Sequence, residues 1–228
     1  MRYFWYYRRH EDFPPDAHRQ PLDPPGAERL CVHCTQTNLP ASAQRRLIAA
    51  WCDRLPALDV RYLWFVSKVP QVLFEAVCRM PRLEALWIKW SSITSLANLP
   101  RLNALRYFHL GSSPRVTSIE PLQQMTGLRW LGRENLGRIR DLAALAGLTQ
   151  LEGLSLEGSM WTTRRVRDLR PIGFLTELRY LNLANLRADD LTLAPLFSLR
   201  QLEFLAVADW WDASERAEIR RRNPRLAA

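Results

Sequence analysis

The chain has 228 residues, a formal net charge of +9, 47% hydrophobic and 24% charged residues. That length suits one domain or one short solenoid, and the ordinary apolar content argues against disorder. No run approaches the roughly 20 apolar residues that span a bilayer, and the opening MRYFWYYRRHEDFPP lacks the apolar stretch and cleavage site of a signal peptide. Four cysteines, Cys31, Cys34, Cys52 and Cys78, are too few and too clustered for a disulfide framework. The expectation is a cytoplasmic protein with free thiols, monomeric and without a membrane segment.

In chain order, residues 1–26 are rich in proline and read as an irregular arm or cap, packed by Phe4, Trp5 and Tyr6 over an open end. LCVHC (Leu30 to Cys34) has the L-x-V pattern of a strand, and AQRRLIAAWCDRL sets Leu47, Trp51 and Leu55 on one helical face. QVLFEAVCRM, before Leu83, reads as a second helical return. From Val60 onward one unit recurs: VRYLWF, LEALWI, LRYFHL, LRWLGR, LEGLSL, LRYLNL and LEFLAV, starting at 60, 83, 105, 128, 151, 178 and 202. The core of each unit alternates as a short strand does. Between cores the apolar residues recur every third position, as in Ile93, Leu96, Leu99, Leu102, Leu105 and in Ile139, Leu142, Leu145, Leu148, Leu151. A period of three fits a 3₁₀ return, where i and i+3 eclipse, rather than an α-helix or strand. One coil cannot bury its leucines alone, but stacked coils share one apolar column. SERAEIRRRNPRL, near the C-terminus, reads as a charged helical cap.

Over about Val60 to Asp209 the pattern closely resembles the leucine-rich-repeat family, in its short class of about 22 residues known from bacterial internalin-like proteins. The resemblance implies an α/β solenoid, with a curved parallel sheet on the concave side, 3₁₀ returns on the convex side, and protein binding as the usual role. The expected layout is an arm over 1–26, a solenoid of about eight repeats over 27–209 and a cap over 210–228. Two departures stand out. The asparagine ladder of the family is replaced by Ser91, Ser113, Leu136, Ser159 and Leu186, so the turns need other hydrogen bonds. Arg133 occupies the place of Ile88, Leu110, Leu156 and Leu183, where an unpaired guanidinium is so costly that the strand is expected to shift or end.

Strand alternation points one set of side chains to the concave face. It forms columns of Tyr62, Ala85, Tyr107, Trp130, Gly153, Tyr180 and Phe204, then Trp64, Trp87, His109, Gly132, Ser155, Asn182 and Ala206. A third column holds Val66, Lys89, Gly111, Glu134, Glu157, Ala184 and Ala208. Exposed aromatics in bulk mark interaction sites, because Trp and Tyr dominate binding hot spots. The candidate partner-binding residues are therefore Tyr62, Trp64, Trp87, Lys89, Tyr107, His109, Trp130, Glu134, Glu157, Tyr180 and Asn182. The alternative is that the rings stack on one another or lie beneath the N-terminal arm. The longest unit, from Leu151 to Leu178, adds a loop with Trp161, Arg164 and Arg165 as further candidate contacts.

The concave charges are Lys89, Glu134 and Glu157, while Arg61, Arg106, Arg129, Arg138, Arg140, Arg164, Arg165, Arg167 and Arg187 fall on strand edges and returns. That is a solvated rim and not a phosphate-tracking groove, so nucleic acid is not the expected partner. Cys31 and Cys34 flank His33, but no second ligand pair follows at finger-like spacing, and no metal is expected. His109 has no evident paired nucleophile and no glycine-rich phosphate loop occurs, so neither catalysis nor a cofactor is expected. The sequence points to a non-enzymatic scaffold for a protein partner. The alternatives are an immunity protein or host-directed effector that occludes an enzyme, or the recognition subunit of a split enzyme.

Overall fold

A computed structural model describes residues 17–21, 28–35, 37–134, 137, 139–158 and 163–226. Most of the arm, with Phe4, Trp5 and Tyr6, lies outside the described residues, as do Leu136, Arg138, Ser159 and Trp161. In chain order the elements are β1 (Arg29–Val32), α1 (Ala41–Arg54), β2 (Tyr62–Phe65), α2 (Gln71–Val77), β3 (Ala85–Trp90), β4 (Tyr107–Ser112) and β5 (Trp130–Glu134). There follow β6 (Gly153–Glu157), β7 (Arg164–Val166), the single turn α3 (Arg170–Gly173), β8 (Tyr180–Asn182), β9 (Leu186–Ala188), β10 (Phe204–Ala206) and α4 (Ala213–Arg222). An eight-stranded parallel sheet runs β1-β2-β3-β4-β5-β6-β8-β10, and β7 pairs with β9 in a separate ribbon. This is the leucine-rich-repeat solenoid that the sequence led us to expect.

The period of three has a backbone cause. The amide of Leu99 donates to the Leu96 carbonyl at 2.8 Å, Leu102 to Leu99 at 3.0 Å and Leu105 to Leu102 at 3.0 Å. Leu145, Leu148 and Leu151 repeat the pattern in a later coil, each donating to the leucine three residues before it. The same residues thus close the turns and fill the core, and all of them are buried. Short 3₁₀ segments at Leu99–Arg101, Glu120–Gln124, Ala143–Leu145 and Ala194–Ser198 are the outcome. Across the sheet, register stacks Leu63, Leu86, Phe108, Leu131, Leu154 and Leu181 into one column on the core side. The first returns are true helices: α1 buries Leu47 and Trp51, and α2 buries Leu73, Phe74, Ala76 and Val77.

At the missing asparagine ladder, hydroxyls take over. Ser91 Oγ lies 2.7 Å from Ser113 Oγ in the buried turn and accepts from the Ile93 amide at 3.2 Å. One coil earlier, Ser67 Oγ accepts from the amides of Cys34 and Thr35 at 3.1 and 3.2 Å. The C-terminal end is sealed by Asn223, whose Oδ1 accepts from Leu202 N while its Nδ2 donates to the carbonyls of Leu199 and Ile219. Asp212 caps α4 by accepting from Glu215 N at 3.0 Å.

Two expectations are corrected. The strand neither shifts nor ends at Arg133: Leu110, Arg133 and Leu156 lie in register, and pairing continues to Glu134 and Glu157. Arg133 is 3% exposed, and its Nε, Nη1 and Nη2 find no hydrogen-bond partner among the described residues. The ladder bonds on either side hold the strand in place, so the cost is borne by the side chain. Arg164 and Arg165 also do not lie in a loop. They open β7, pairing with Leu186 and Arg187, because the next residue, Val166, is drawn into the core.

The strand-entry rim carries an alternating row of charge. Arg61 bonds Glu28 and Glu84, each at 2.8 Å; Arg129 bonds Glu152 at 3.2 Å; Arg179 bonds Glu203 at 2.7 Å. The row is broken where Arg106 meets Arg129, and Arg106 Nη1 turns back to the carbonyls of Asn103 and Leu105.

Candidate functional site

The concave columns form as the alternation requires. Tyr62, Ala85, Tyr107, Trp130, Gly153, Tyr180 and Phe204 share one register row, and Trp64, Trp87, His109, Gly132, Ser155 and Asn182 the next. Two glycines in these rows are seats for neighbouring rings. A Cβ on Gly153 would lie 1.8 Å from Trp130 Cε3, so the indole lies directly over that glycine. A Cβ on Gly132 would come within 2.5 Å of His109 Nδ1. A missing side chain on one strand is therefore what lets the ring of the preceding strand lie flat.

Once laid down, the rings pack on one another. Trp64 and Trp87 meet edge to face at 4.4 Å, and Trp87 stacks on His109 at 5.4 Å. Trp130 meets Tyr180 at 5.0 Å, and Tyr180 stacks on Phe204 at 4.4 Å. Such contacts are favourable beyond the area they bury. Tyr62, Ala85, Trp87, Trp130 and Tyr180 form a second apolar cluster, separate from the leucine core, with Trp64, Tyr107 and Phe204 packed against it. The expectation of broadly exposed rings does not hold for most of them. Trp130 is 2% exposed, Tyr180 3%, Trp87 4% and Tyr62 6%, whereas Trp64, Tyr107 and Phe204 are partly exposed.

A polar border adjoins the rings. Glu134 and Glu157 lie side by side in register. His109 Nε2 is 3.3 Å from Glu134 Oε1. Glu157 Oε1 accepts from Ser155 Oγ at 2.7 Å and from Asn182 Nδ2 at 2.6 Å, while Asn182 Oδ1 accepts from Ala184 N. Ser155 gives its proton to a carboxylate already shared with an amide, which anchors the hydroxyl and leaves the half-exposed Glu134 as the outward-looking charge. Lys89 lies at the edge, 5.7 Å from the Trp90 ring centroid. The glycine seats at Gly132 and Gly153 were missed in the sequence, although a glycine opposite an aromatic in a parallel register is a readable sign.

Cys31 and Cys34 do not converge. Cys31 pairs in register with Trp64 on the concave side, while Cys34 belongs to the leucine core. Burial pushes the Cys31 thiol up to about 11 and the Cys34 thiol up to about 12, so both stay protonated at neutral pH. Among the described residues no group of three or more His, Cys, Asp or Glu could hold a metal ion, and no helix is long and apolar enough to cross a membrane.

No family model and no curated protein matches the chain. Among solved structures it is similar to the internalin inlF of Listeria monocytogenes, at 28% identity and a TM-score of 0.57 over 66% of this chain and 42% of that one. Internalin C2 of the same organism matches at 24% identity and 0.52, over 69% and 64%. A Leptospira interrogans LRR protein matches at 17% identity and 0.54, over 74% and 48%. The chain thus spans between two fifths and two thirds of the length of these structures. A solenoid of this kind is in general a protein-interaction scaffold. The recurring unit, the parallel sheet with 3₁₀ returns and these likenesses together show a leucine-rich-repeat solenoid similar to that of bacterial internalins.

Proposed function

We propose that the protein is a non-enzymatic scaffold that holds a protein partner against its concave face. The observation that carries this reading is the occurrence, on one face, of an aromatic cluster and an acidic border: Trp64 and Tyr107 are partly exposed on the same sheet face that carries Glu134 and Glu157. Rigid rings lose little entropy when they bind, and a fixed carboxylate pair orients a cationic partner. Arg164 and Arg165 sit on the separate β7–β9 ribbon and belong to a different surface. A reducing compartment suits the four free cysteines.

The test is retrieval of a partner from lysate, followed by calorimetric titration. Trp64→Ala and Tyr107→Ala should each weaken that partner by about 2 kcal/mol, some thirtyfold, with little change in melting. Arg165→Ala should leave affinity nearly unchanged, since exposed rim charges act mainly on association rate. Normal binding by both concave variants, with loss of binding in Arg165→Ala, would move the site to the ribbon.

A further inference from the structure

The sheet ends at β10 in an edge whose main chain faces outward. In the parallel ladder the concave-facing residues bond back to the preceding strand: Phe204 N donates to the Arg179 carbonyl at 3.0 Å, and the Ala206 carbonyl accepts from Leu183 N at 2.8 Å. By alternation the amides and carbonyls of Leu205 and Val207 point the other way, where no strand follows among the described residues. The C-terminal cap does not close this side. Its bonds go to the last return, from Asn223 to Leu199 and Leu202 and from Arg222 Nη1 to the Phe197 carbonyl at 3.2 Å. Leu205 shows the consequence. It continues the column of Leu131, Leu154 and Leu181, each at most 2% exposed, yet it is only partly buried, as is Val207.

A hollow of about 150 Å³ lies along this edge, lined by Leu205, Ala206 and Val207 from the strand and by Arg216 and Arg220 from α4. Arg216 Nη1 holds Asp209 at 2.9 Å, but its Nε is buried with no hydrogen-bond partner among the described residues. Arg220 is exposed and forms no ion pair among them. Two guanidinium groups thus share one carboxylate, which is itself fully exposed. We infer that this edge is a second binding site, which takes an extended segment of another protein as a ninth strand with one of its carboxylates against Arg216 and Arg220. The main chain of that segment meets the outward groups of Leu205 and Val207, and its apolar side chains cover those two residues. Its carboxylate supplies the acceptor that Arg216 Nε lacks.

Each feature of the edge narrows the occupant. A helix cannot pair with strand groups, because its own amides are spent within it. A polyanion without backbone amides leaves the Leu205 carbonyl unmet, and a basic segment is repelled by the two arginines. Successive residues of a strand face opposite sides, so the fitting segment carries its apolar residues and its acidic residue at alternate positions, on one face. The site lies at the end of the sheet and stands whether or not the concave face holds a partner.

The probe is the fluorescein-labelled peptide Thr-Val-Thr-Val-Thr-Glu-Thr with blocked ends, in which both valines and the glutamate share one face. Its binding to the full chain is read by fluorescence anisotropy. Saturable binding is expected, weakened about tenfold or more in Arg220→Glu and when lysine replaces the glutamate of the peptide. Arg225→Glu, the same charge change on an exposed residue outside the hollow, should leave binding unchanged within about twofold. Peptides N-methylated on alternate residues separate strand addition from ion pairing alone. Methylation of the set that donates to β10 should abolish binding, while methylation of the other set should leave it. Loss with both sets or with neither, equal weakening by Arg220→Glu and Arg225→Glu, or no binding up to millimolar peptide would overturn the inference. The methylated peptides are compared on the native chain, so that arm decides even if a variant melts early. Loss of binding in Trp64→Ala or Tyr107→Ala but not in Arg220→Glu would place the peptide on the concave face, and the edge site fails. Self-association that Arg220→Glu abolishes and the peptide does not inhibit would name a second copy as the occupant, which overturns it as well.

Discussion

Arg133 offers a direct measure of what the leucine register is worth. Its guanidinium lies between Leu110 and Leu156, 3% exposed and with none of its nitrogens bonded among the described residues. Desolvation pushes its pKa from the usual guanidinium range down to about 10, so at neutral pH it is still charged and the folded state bears the whole penalty. A difference of that size corresponds to about 3 kcal/mol. Arg133→Leu removes the penalty and restores the side chain carried by the coils on either side, adding about 1 to 2 kcal/mol of apolar burial. The variant should therefore be more stable by about 4 to 5 kcal/mol. With about 2 to 4 °C per kcal/mol for a chain of this size, melting should rise by roughly 10 °C. Urea denaturation followed by circular dichroism checks it, the midpoint rising with little change in slope. A neutral or destabilised Arg133→Leu would refute the reasoning, because it would mean that the guanidinium has a partner that stabilises it. The sign with pH is also fixed. A base whose folded pKa is depressed is protonated more in the unfolded chain, so its penalty is relieved only as pH rises above about 10.

Leu154→Ala should cost about 2 to 5 kcal/mol, since Leu154 is fully buried between Leu131 and Leu181. Ser155→Ala, which removes one hydrogen bond to Glu157, should cost about 1 kcal/mol, and the reverse ranking in chemical denaturation would break the register. Gly153→Ala should lose about 1 to 3 kcal/mol in thermal melting, as its Cβ collides with the Trp130 ring, whereas Gly147→Ala, with nothing within 4 Å, should be near neutral. Equal effects at the two glycines would mean that the indole does not rest on Gly153. Cys34 should react with a thiol reagent only as fast as the protein opens, and a chelator should leave the melting temperature unchanged. Rapid labelling, or a fall of many degrees with chelator, would show the thiols to be accessible or metal-bound.

The leucines carried the fold in plain view, because each does two jobs whose periods coincide: its side chain enters the core and its amide closes the turn at the same spacing of three. Aligned starts then placed each strand to the residue, and alternation within the strand named the concave side chains. What stayed hidden was how those side chains are covered. Alternation states which face a ring points to, but the exposure of Trp130 or Tyr180 depends on what lies above the sheet, and no periodicity encodes that. The Arg133 strand was misjudged for a related reason. A penalty on one side chain competes with the backbone ladder on both sides, and a sequence shows the first without the strength of the second. Arg164 and Arg165 were misjudged because a two-stranded ribbon of three residues each carries too short a pattern to read.

The interrupted charge row at the strand entries bears on how the solenoid yields. In a linear stack the stability is the sum of what each coil holds by itself and what it shares with its two neighbours. Between β4 and β5 the rim differs from the other junctions: Arg106 adjoins Arg129 instead of a carboxylate, although the strands themselves stay paired from Tyr107–Trp130 to Leu110–Arg133. The leucine core nevertheless runs unbroken past that junction, from Leu30 to Ile219, so the coils on either side of it share one apolar column. Exposed rim pairs contribute little, so resistance to opening at each junction follows the buried leucines that neighbouring coils share, and the rim charges tune it only slightly.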